Sequence, residues 1–186
     1  MFDKWEGDIS NSASDVSQVI AMSEPHQVAG LFRLNPELDQ VAHSMELQKG
    51  WNMVSLPIYA DYMEIDANLL NQTIGHSWTW DENGYISDDN LATKTGYWLF
   101  CNKNCLVNLN GVLDEDNVLN LSPGWILAGI GADGMFSSVE HLHNTIWFWD
   151  SRAQQFRAVN SDTLLTKGKA YWIYGKGSGS TEVVFP

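Results

Sequence analysis

Apolar and polar residues alternate with a period of two over short runs through most of residues 44–186, and turn residues break the runs at regular intervals. That alternation is the mark of half-buried strands, because successive side chains point to opposite faces. Ser44–Leu56 reads as two short strands around a Lys49-Gly50 turn. Val118–Ile130 reads alike, with Pro123-Gly124 at the turn. Ser77–Trp80 and Tyr85–Ser87 form a hairpin around Asp81-Glu82-Asn83-Gly84, and Asn-Gly is a strong short-range hairpin signal. Ile146–Trp149 returns as Phe156–Val159 across a longer turn from Asp150 to Gln155. The last pairs are Gly96–Cys101 with Leu106–Leu109, and Ala170–Tyr174 with Glu182–Phe185 beyond the Gly/Ser loop Gly175–Ser180. The connectors Tyr59–Gly75 and Gly131–Asn144 each hold a segment fit for a turn or two of helix, Asp66–Leu70 and Ser138–Leu142.

The same pattern occurs twice. Gly50-Trp51 recurs as Gly124-Trp125, Trp78-Thr79-Trp80-Asp81 as Trp147-Phe148-Trp149-Asp150, and Tyr97-Trp98 as Tyr171-Trp172. The first and last of these pairs are offset by 74 residues and the middle one by 69. One loop is therefore shorter, and the next longer, in the second copy. A fixed internal period governs the fold reading before anything else does. The expected fold is all-β: two tandem, homologous β-sandwich or barrel modules of about 70 residues, each with about five or six strands. The boundaries expected are a partly irregular N-terminal extension at 1–43, copy one at 44–117 and copy two at 118–186. Within the extension, Gln27–Leu34 reads as a strand, and Asn35-Pro36-Glu37 opens a short helix.

Charge narrows the function. The net charge of −13 argues against nucleic acid, which demands a basic stripe, and against anionic membranes. The acidity lies in residues 1–117, while 118–186 balance at five acids and five bases. It is thus a property of surface loops and serves solubility. No apolar run reaches the length of a membrane span. The start, Met1-Phe2-Asp3-Lys4, lacks a basic stretch followed by an apolar one, so no signal peptide is expected in this chain.

Gly-Trp-Asn-x-Val-Ser-Leu-Pro at 50–57, Trp-x-Trp-Asp at 78–81 and Gly-Tyr-Trp at 96–98 resemble a repeat of secreted and cell-surface proteins of bacteria and some archaea. Copy two departs from it at Ile126, at Gly129-Ile130 and at Ala170. The resemblance implies an extracellular or cell-surface location and an adhesive or structural role, and it carries no catalytic residue.

The candidate sites divide by chemistry. Trp78 and Trp80, and Trp147 and Trp149, are spaced i, i+2, so each pair lies on one face of its strand. With Tyr85 and Phe156 across the hairpins, they form the best candidate for an exposed aromatic platform. Asp81 and Asp150 would orient the hydroxyls of a stacked sugar, or hold the hairpin turns. Trp51, Trp125, Trp98 and Trp172 sit among aliphatic residues and are expected in the module cores. Cys101 and Cys105 would be about 13 Å apart in one continuous strand, but a hairpin turn at 102–104 makes a disulfide feasible. Asp114 and Asp116 lie in the densest carboxylate run, which reads as a solvated linker or as a calcium site. His141 and His143 read as surface residues. No nucleophile elbow, P-loop, zinc-protease or dinucleotide motif is found.

The sequence therefore predicts a non-catalytic extracellular structural or adhesion protein, with carbohydrate binding through the Trp-x-Trp hairpins as the alternative. The expected partners are extracellular or cell-surface proteins, or glycans, with no nucleic acid and no membrane insertion. Calcium is the one candidate cofactor.

Overall fold

A computed structural model describes residues 2–7, 28–32, 40–114, 118–131, 133–135, 145–159, 163–176 and 181–184. The chain divides into two compact units, Met1–Asp39 and Gln40–Pro186. In the first, β1 (Phe2–Gly7) pairs antiparallel with β2 (Val28–Phe32), with a register shift between Phe2 and Lys4. The strand expected over Gln27–Leu34 is present in its described part. The helix expected after Asn35-Pro36 lies outside the described residues, as do the segment Ser138–Leu142 and both His141 and His143.

The second unit is built from antiparallel sheets, so the all-β class holds. Its first half contains β3 (Gln40–Leu47), β4 (Gly50–Val54), β5 (Ile58–Tyr59), β6 (Trp78–Asp81), β7 (Gly84–Ser87), β8 (Tyr97–Cys101) and β9 (Cys105–Leu113). The first strand starts at Gln40, four residues before the expected Ser44, because Gln40 to Leu47 pairs without a break along β9. A short helix, α1 (Tyr62–Asn68), precedes the expected Asp66 and is followed by a 3-10 turn at Leu70–Gln72. The second half contains β10 (Val118–Leu121), β11 (Gly124–Gly129), β12 (Gly134–Met135), β13 (Ile146–Asp150), β14 (Gln155–Val159), β15 (Leu164–Leu165), β16 (Ala170–Gly175) and β17 (Thr181–Val184).

The main sheet of the first half has the order β4-β8-β6-β7, and that of the second half β11-β16-β13-β14. Matched strand for strand, the two orders are the same. Registers agree as well. Trp51 faces Phe100 as Trp125 faces Tyr174, and Trp78 faces Trp98 as Trp147 faces Trp172. Gly50 and Gly124 both adopt left-handed backbone, φ 99° and 104°, at the turns that open β4 and β11. A side chain resists that conformation, which is why both turns end in glycine.

Each main sheet has two unlike faces. One face of the first sheet carries Val54, Tyr97, Leu99 and Cys101. It packs with Met45, Leu47, Val107 and Leu109 of β3 and β9 into a first core. The matching face of the second sheet supplies Ala128, Ile146, Val159, Tyr171 and Ile173, which pack with Leu119 and Leu121 of β10. The tyrosines have matching anchors: the Ala92 N–H donates to Tyr97 Oη (3.0 Å) and the Thr166 N–H to Tyr171 Oη (2.7 Å). Burial pushes both phenol pKa values up.

The halves join through reciprocal main-chain contacts. The Ser55 N–H donates to the Gly168 carbonyl (3.2 Å), and the Gly129 N–H to the Lys94 carbonyl (2.9 Å). Val54 bridges to Lys169, and Ala128 to Thr95. Each residue lies 74 positions from its opposite number, the arrangement of an isologous contact. Lys94 and Gly168 share left-handed backbone, φ 60° and 82°. A third core forms at this junction from Met53, Trp98, Leu127 and Ala170, with Trp80, Phe148, Trp149 and Trp172 against it.

Candidate functional site

The second face of each main sheet is aromatic. In the first half it carries Trp51, Trp78, Trp80, Tyr85, Trp98 and Phe100, and in the second Trp125, Trp147, Trp149, Phe156, Trp172 and Tyr174. Strand alternation puts them there, since β4, β6 and β8 and their counterparts send every second residue to this face. The rings meet edge to face, the geometry their quadrupoles prefer. Trp80 packs on Tyr85 (centroids 5.0 Å apart) and Trp149 on Phe156 (5.0 Å). Each hairpin also reaches the sheet of the other half: Trp80 packs on Trp172 (5.2 Å) and Trp149 on Trp98 (5.2 Å).

This packing leaves two grooves. The first, about 330 Å³, is lined by Trp51, Trp78, Tyr85, Trp98, Trp149 and Phe156. The second, about 510 Å³, is lined by Trp80, Tyr85, Trp125, Trp147, Phe156 and Trp172. Position for position these linings are the same set with the halves exchanged. Tyr85 and Phe156 border both grooves, so the two run into one surface. Trp51, Trp78, Tyr85, Trp125, Trp147 and Phe156 each keep between 37% and 51% of their area in solvent. Monomeric proteins seldom leave so many large apolar side chains exposed together.

The sequence-predicted platform residues therefore assemble here. Trp78 and Trp147 are exposed, while Trp80 and Trp149 are half-buried at the junction. Trp51 and Trp125 correct the expectation of a module core: they are 40% and 45% exposed and form groove walls. Trp98 is buried, at the junction between the halves rather than inside either one.

Asp81 and Asp150 take the turn role. Asp81 Oδ1 accepts the Asn83 N–H (2.7 Å). Asp150 Oδ1 accepts the N–H groups of Arg152 (3.1 Å) and Ala153 (3.0 Å), and Oδ2 accepts Arg157 Nε (2.6 Å). The Ala153 N–H, then Arg157, hold the Asp150 carboxyl below the usual carboxylate range. Both aspartates point to the face opposite the tryptophans by strand alternation, so the aromatic grooves gain no carboxylate from them.

Cys101 and Cys105 stand here as two neighbouring, unbridged thiols. Cys101 closes β8 in the core and Cys105 opens β9 in the other sheet, facing Leu47. Burial, and then the neighbouring Cys105, push the Cys101 thiol up to about 12. A denaturing thiol titration is expected to find two thiols per chain, while the native protein reacts at Cys105 alone. An intact mass lower by about two hydrogens would show a bridge instead.

Asp114 is 2% exposed and its N–H donates to the Pro57 carbonyl (3.0 Å), so it is no part of a solvated linker. Asp116 lies outside the described residues. Among the described residues no group of three or more His, Cys, Asp and Glu side chains gathers as a metal site.

A third hollow, about 400 Å³, lies between β3 and the Asp150 turn, with His43, Glu46, Arg152, Lys167 and Lys169 on its walls. Burial, then Lys167, lower the His43 pKa, so its imidazole is neutral near pH 7.

Sequence reasoning missed Gln154. Its carboxamide sits on the main chain of Trp51, with the Trp51 N–H donating to Oε1 (2.9 Å) and Nε2 donating to the Trp51 carbonyl (2.9 Å). Only the longer turn of the second half hinted at it.

Fold and site together define an all-β chain with tryptophan-rich aromatic clusters. Among the described residues no helix is long and apolar enough to cross a membrane, which says nothing of a β-barrel. No family model, curated protein or solved structure matches the chain.

Proposed function

We propose that Gln40–Pro186 comprises two copies of one β module, closed face to face, and that the chain is a non-catalytic interaction protein. Its aromatic face docks a partner protein, in keeping with the extracellular or cell-surface role that the repeat resemblance implies. The observation that carries this reading is the run of six exposed aromatic side chains across both grooves. Aromatic anchors with an apolar surround are what protein interfaces bury at their centres. The matched main-sheet orders and the reciprocal junction support the duplication.

Sugar binding is the second reading, favoured by the exposed indoles of Trp78 and Trp147. It is the weaker one. A sugar site pairs a flat ring face with a polar group that orients hydroxyls, and Asp81 and Asp150 are engaged in their turns instead.

The test is a peptide-display selection on the whole chain, run beside a glycan array with calcium and with chelator. Peptide binders are expected to lose about tenfold in affinity on Trp147→Ser or Trp78→Ser, with circular dichroism unchanged, and the array is expected to be blank. Saturable binding of one sugar, lost in those variants, would replace this reading with the carbohydrate one.

A further inference from the structure

The chain supplies its own occupant at one of two matching main-chain sites. β4 lies at the edge of its sheet, and an edge strand presents unpaired N–H and C=O groups. At Trp51 a single carboxamide, that of Gln154, satisfies both, as a neighbouring strand would. The Trp149 indole N–H adds a bond to the same carbonyl (2.8 Å). Gln154 is held in place by a third bond, Nε2 to the Ser151 carbonyl (2.6 Å), and by left-handed backbone, φ 51°. Gly50 makes the approach possible, since a Cβ there would stand 2.4 Å from Gln154 Oε1.

The Trp125 edge has the same build. β11 is the edge strand, Trp125 pairs with Tyr174 in the Trp51–Phe100 register, and Gly124 repeats the backbone of Gly50. The difference lies in the turn opposite. Asp81–Gly84 is shorter than Asp150–Gln155 and contains no glutamine. Among the described residues none bonds to the Trp125 N–H or carbonyl. A Cβ on Gly124 would meet nothing within 4 Å.

The open edge is short. Beyond it, the Leu127 carbonyl already accepts the Gly96 N–H (3.1 Å) and the Gly129 N–H is given to Lys94. Before it, Pro123 has no N–H to offer. An added strand would find little ladder there, whereas one amide would find both its partners. The aromatic groove of about 510 Å³ borders the same residue.

We infer that the Trp125 edge is a receptor for one glutamine side chain of a protein partner. The inference rests on the interaction reading above and adds the partner's chemistry to it. The carboxamide bonds the Trp125 main chain as Gln154 bonds Trp51, and apolar residues beside the glutamine fill the groove. Asparagine is one methylene shorter. Free glutamine would bring two further charges against a groove lined with aromatic side chains.

Two measurements test this. In the first, residues 81–84 are replaced by the turn sequence Asp-Ser-Arg-Ala-Gln-Gln, which offers a glutamine to Trp125 within the chain. Amide exchange by NMR should find the Trp51 N–H protected in the parent and fast in Gln154→Ala. The Trp125 N–H should be fast in the parent and slowed at least about tenfold in the graft. A folded graft with fast exchange at Trp125 overturns the proposal.

In the second, peptides selected by display on the whole chain should carry a glutamine. Replacing it by glutamate should weaken binding about tenfold, because a carboxylate cannot donate to the Trp125 carbonyl. Binders that tolerate Gln→Glu yet fail on Trp147→Ser would overturn the glutamine site and leave the interaction reading standing. A selection that yields no binder overturns both.

Discussion

Trp98→Ala is expected to lower folding stability by about 3–5 kcal/mol, the range for removing a large buried aromatic side chain. Trp98 is 8% exposed and stands in the junction core with Met53, Leu127 and Ala170. Its ring packs edge-on to Trp149 (5.2 Å), Phe156 (5.9 Å) and Trp51 (6.2 Å), so truncation removes partners from both halves. The cavity cannot close easily, because two separately hydrogen-bonded sheets frame it. Trp98→Phe should be milder, at roughly 1–2 kcal/mol. Among the described residues the buried indole N–H has no acceptor, so its loss breaks no bond there. Equilibrium urea denaturation followed by far-ultraviolet circular dichroism measures both. A loss under about 1 kcal/mol in Trp98→Ala would mean that the halves fold without the junction.

Gly129→Ala is expected to destabilise by roughly 1–3 kcal/mol, and Ser55→Gly in the same chain to recover most of that loss. The two positions correspond across the repeat and meet at the junction. A Cβ on Gly129 would lie 1.7 Å from Ser55 Oγ and 2.2 Å from Ser55 Cβ. Ser55 is fully buried and among the described residues its hydroxyl has no hydrogen-bond partner, so close packing rather than a bond holds it there. Where the halves meet face to face, there is room for one side chain, and the protein has it on the first half. Two main-chain bonds flank the spot, Ser55 N–H to Gly168 and Gly129 N–H to Lys94, and both would stretch if the halves moved apart. The exchange Ser55→Gly with Gly129→Ser should be close to the parent in stability. A double-mutant cycle checks the point, and additive single effects would show that the two positions do not meet.

The repeat sequence foretold much of this. Tryptophan pairs at matching offsets correspond to the matched main-sheet registers, and Asn83-Gly84 closes the expected hairpin. Trp78 and Trp147 were legible as a surface candidate because i, i+2 spacing puts their partners on the same face. Trp51 and Trp125 lie outside the core in which their aliphatic neighbours lead one to expect them. Alternation along Gly50–Val54 separates Trp51 and Met53 from Asn52 and Val54 without saying which pair is inside. Of Trp51 and Asn52, Asn52 is the buried one, while Met53, on the face of Trp51, is buried at the junction. Asn52 is held by a main-chain loop, where its Oδ1 accepts the Gln48 N–H (2.8 Å) and its Nδ2 donates to the Gln48 carbonyl (2.8 Å). A polar residue facing inward and a tryptophan facing outward reverse the usual assignment, and hydrophobicity alone cannot detect that. The setting of the thiols is not legible from the turn alone. Cys101 and Cys105 do flank a turn, but they belong to two different sheets and do not form a cross-strand pair.

The strands of the two main sheets, the turns between them and the offset of the matching motifs are legible in the chain, whereas the short strands β5, β12 and β15 are not. The legible features follow from local rules, namely alternation, glycine at left-handed turns, and repetition. The tertiary structure alone decided what crosses between the halves: Trp149 on Trp98, Trp80 on Trp172, Ser55 against Gly129, and Gln154 on the Trp51 main chain. Those contacts join residues about 50 to 100 positions apart. Their energy comes from shape and from single hydrogen bonds at the junction, and neither leaves a periodic trace in the chain.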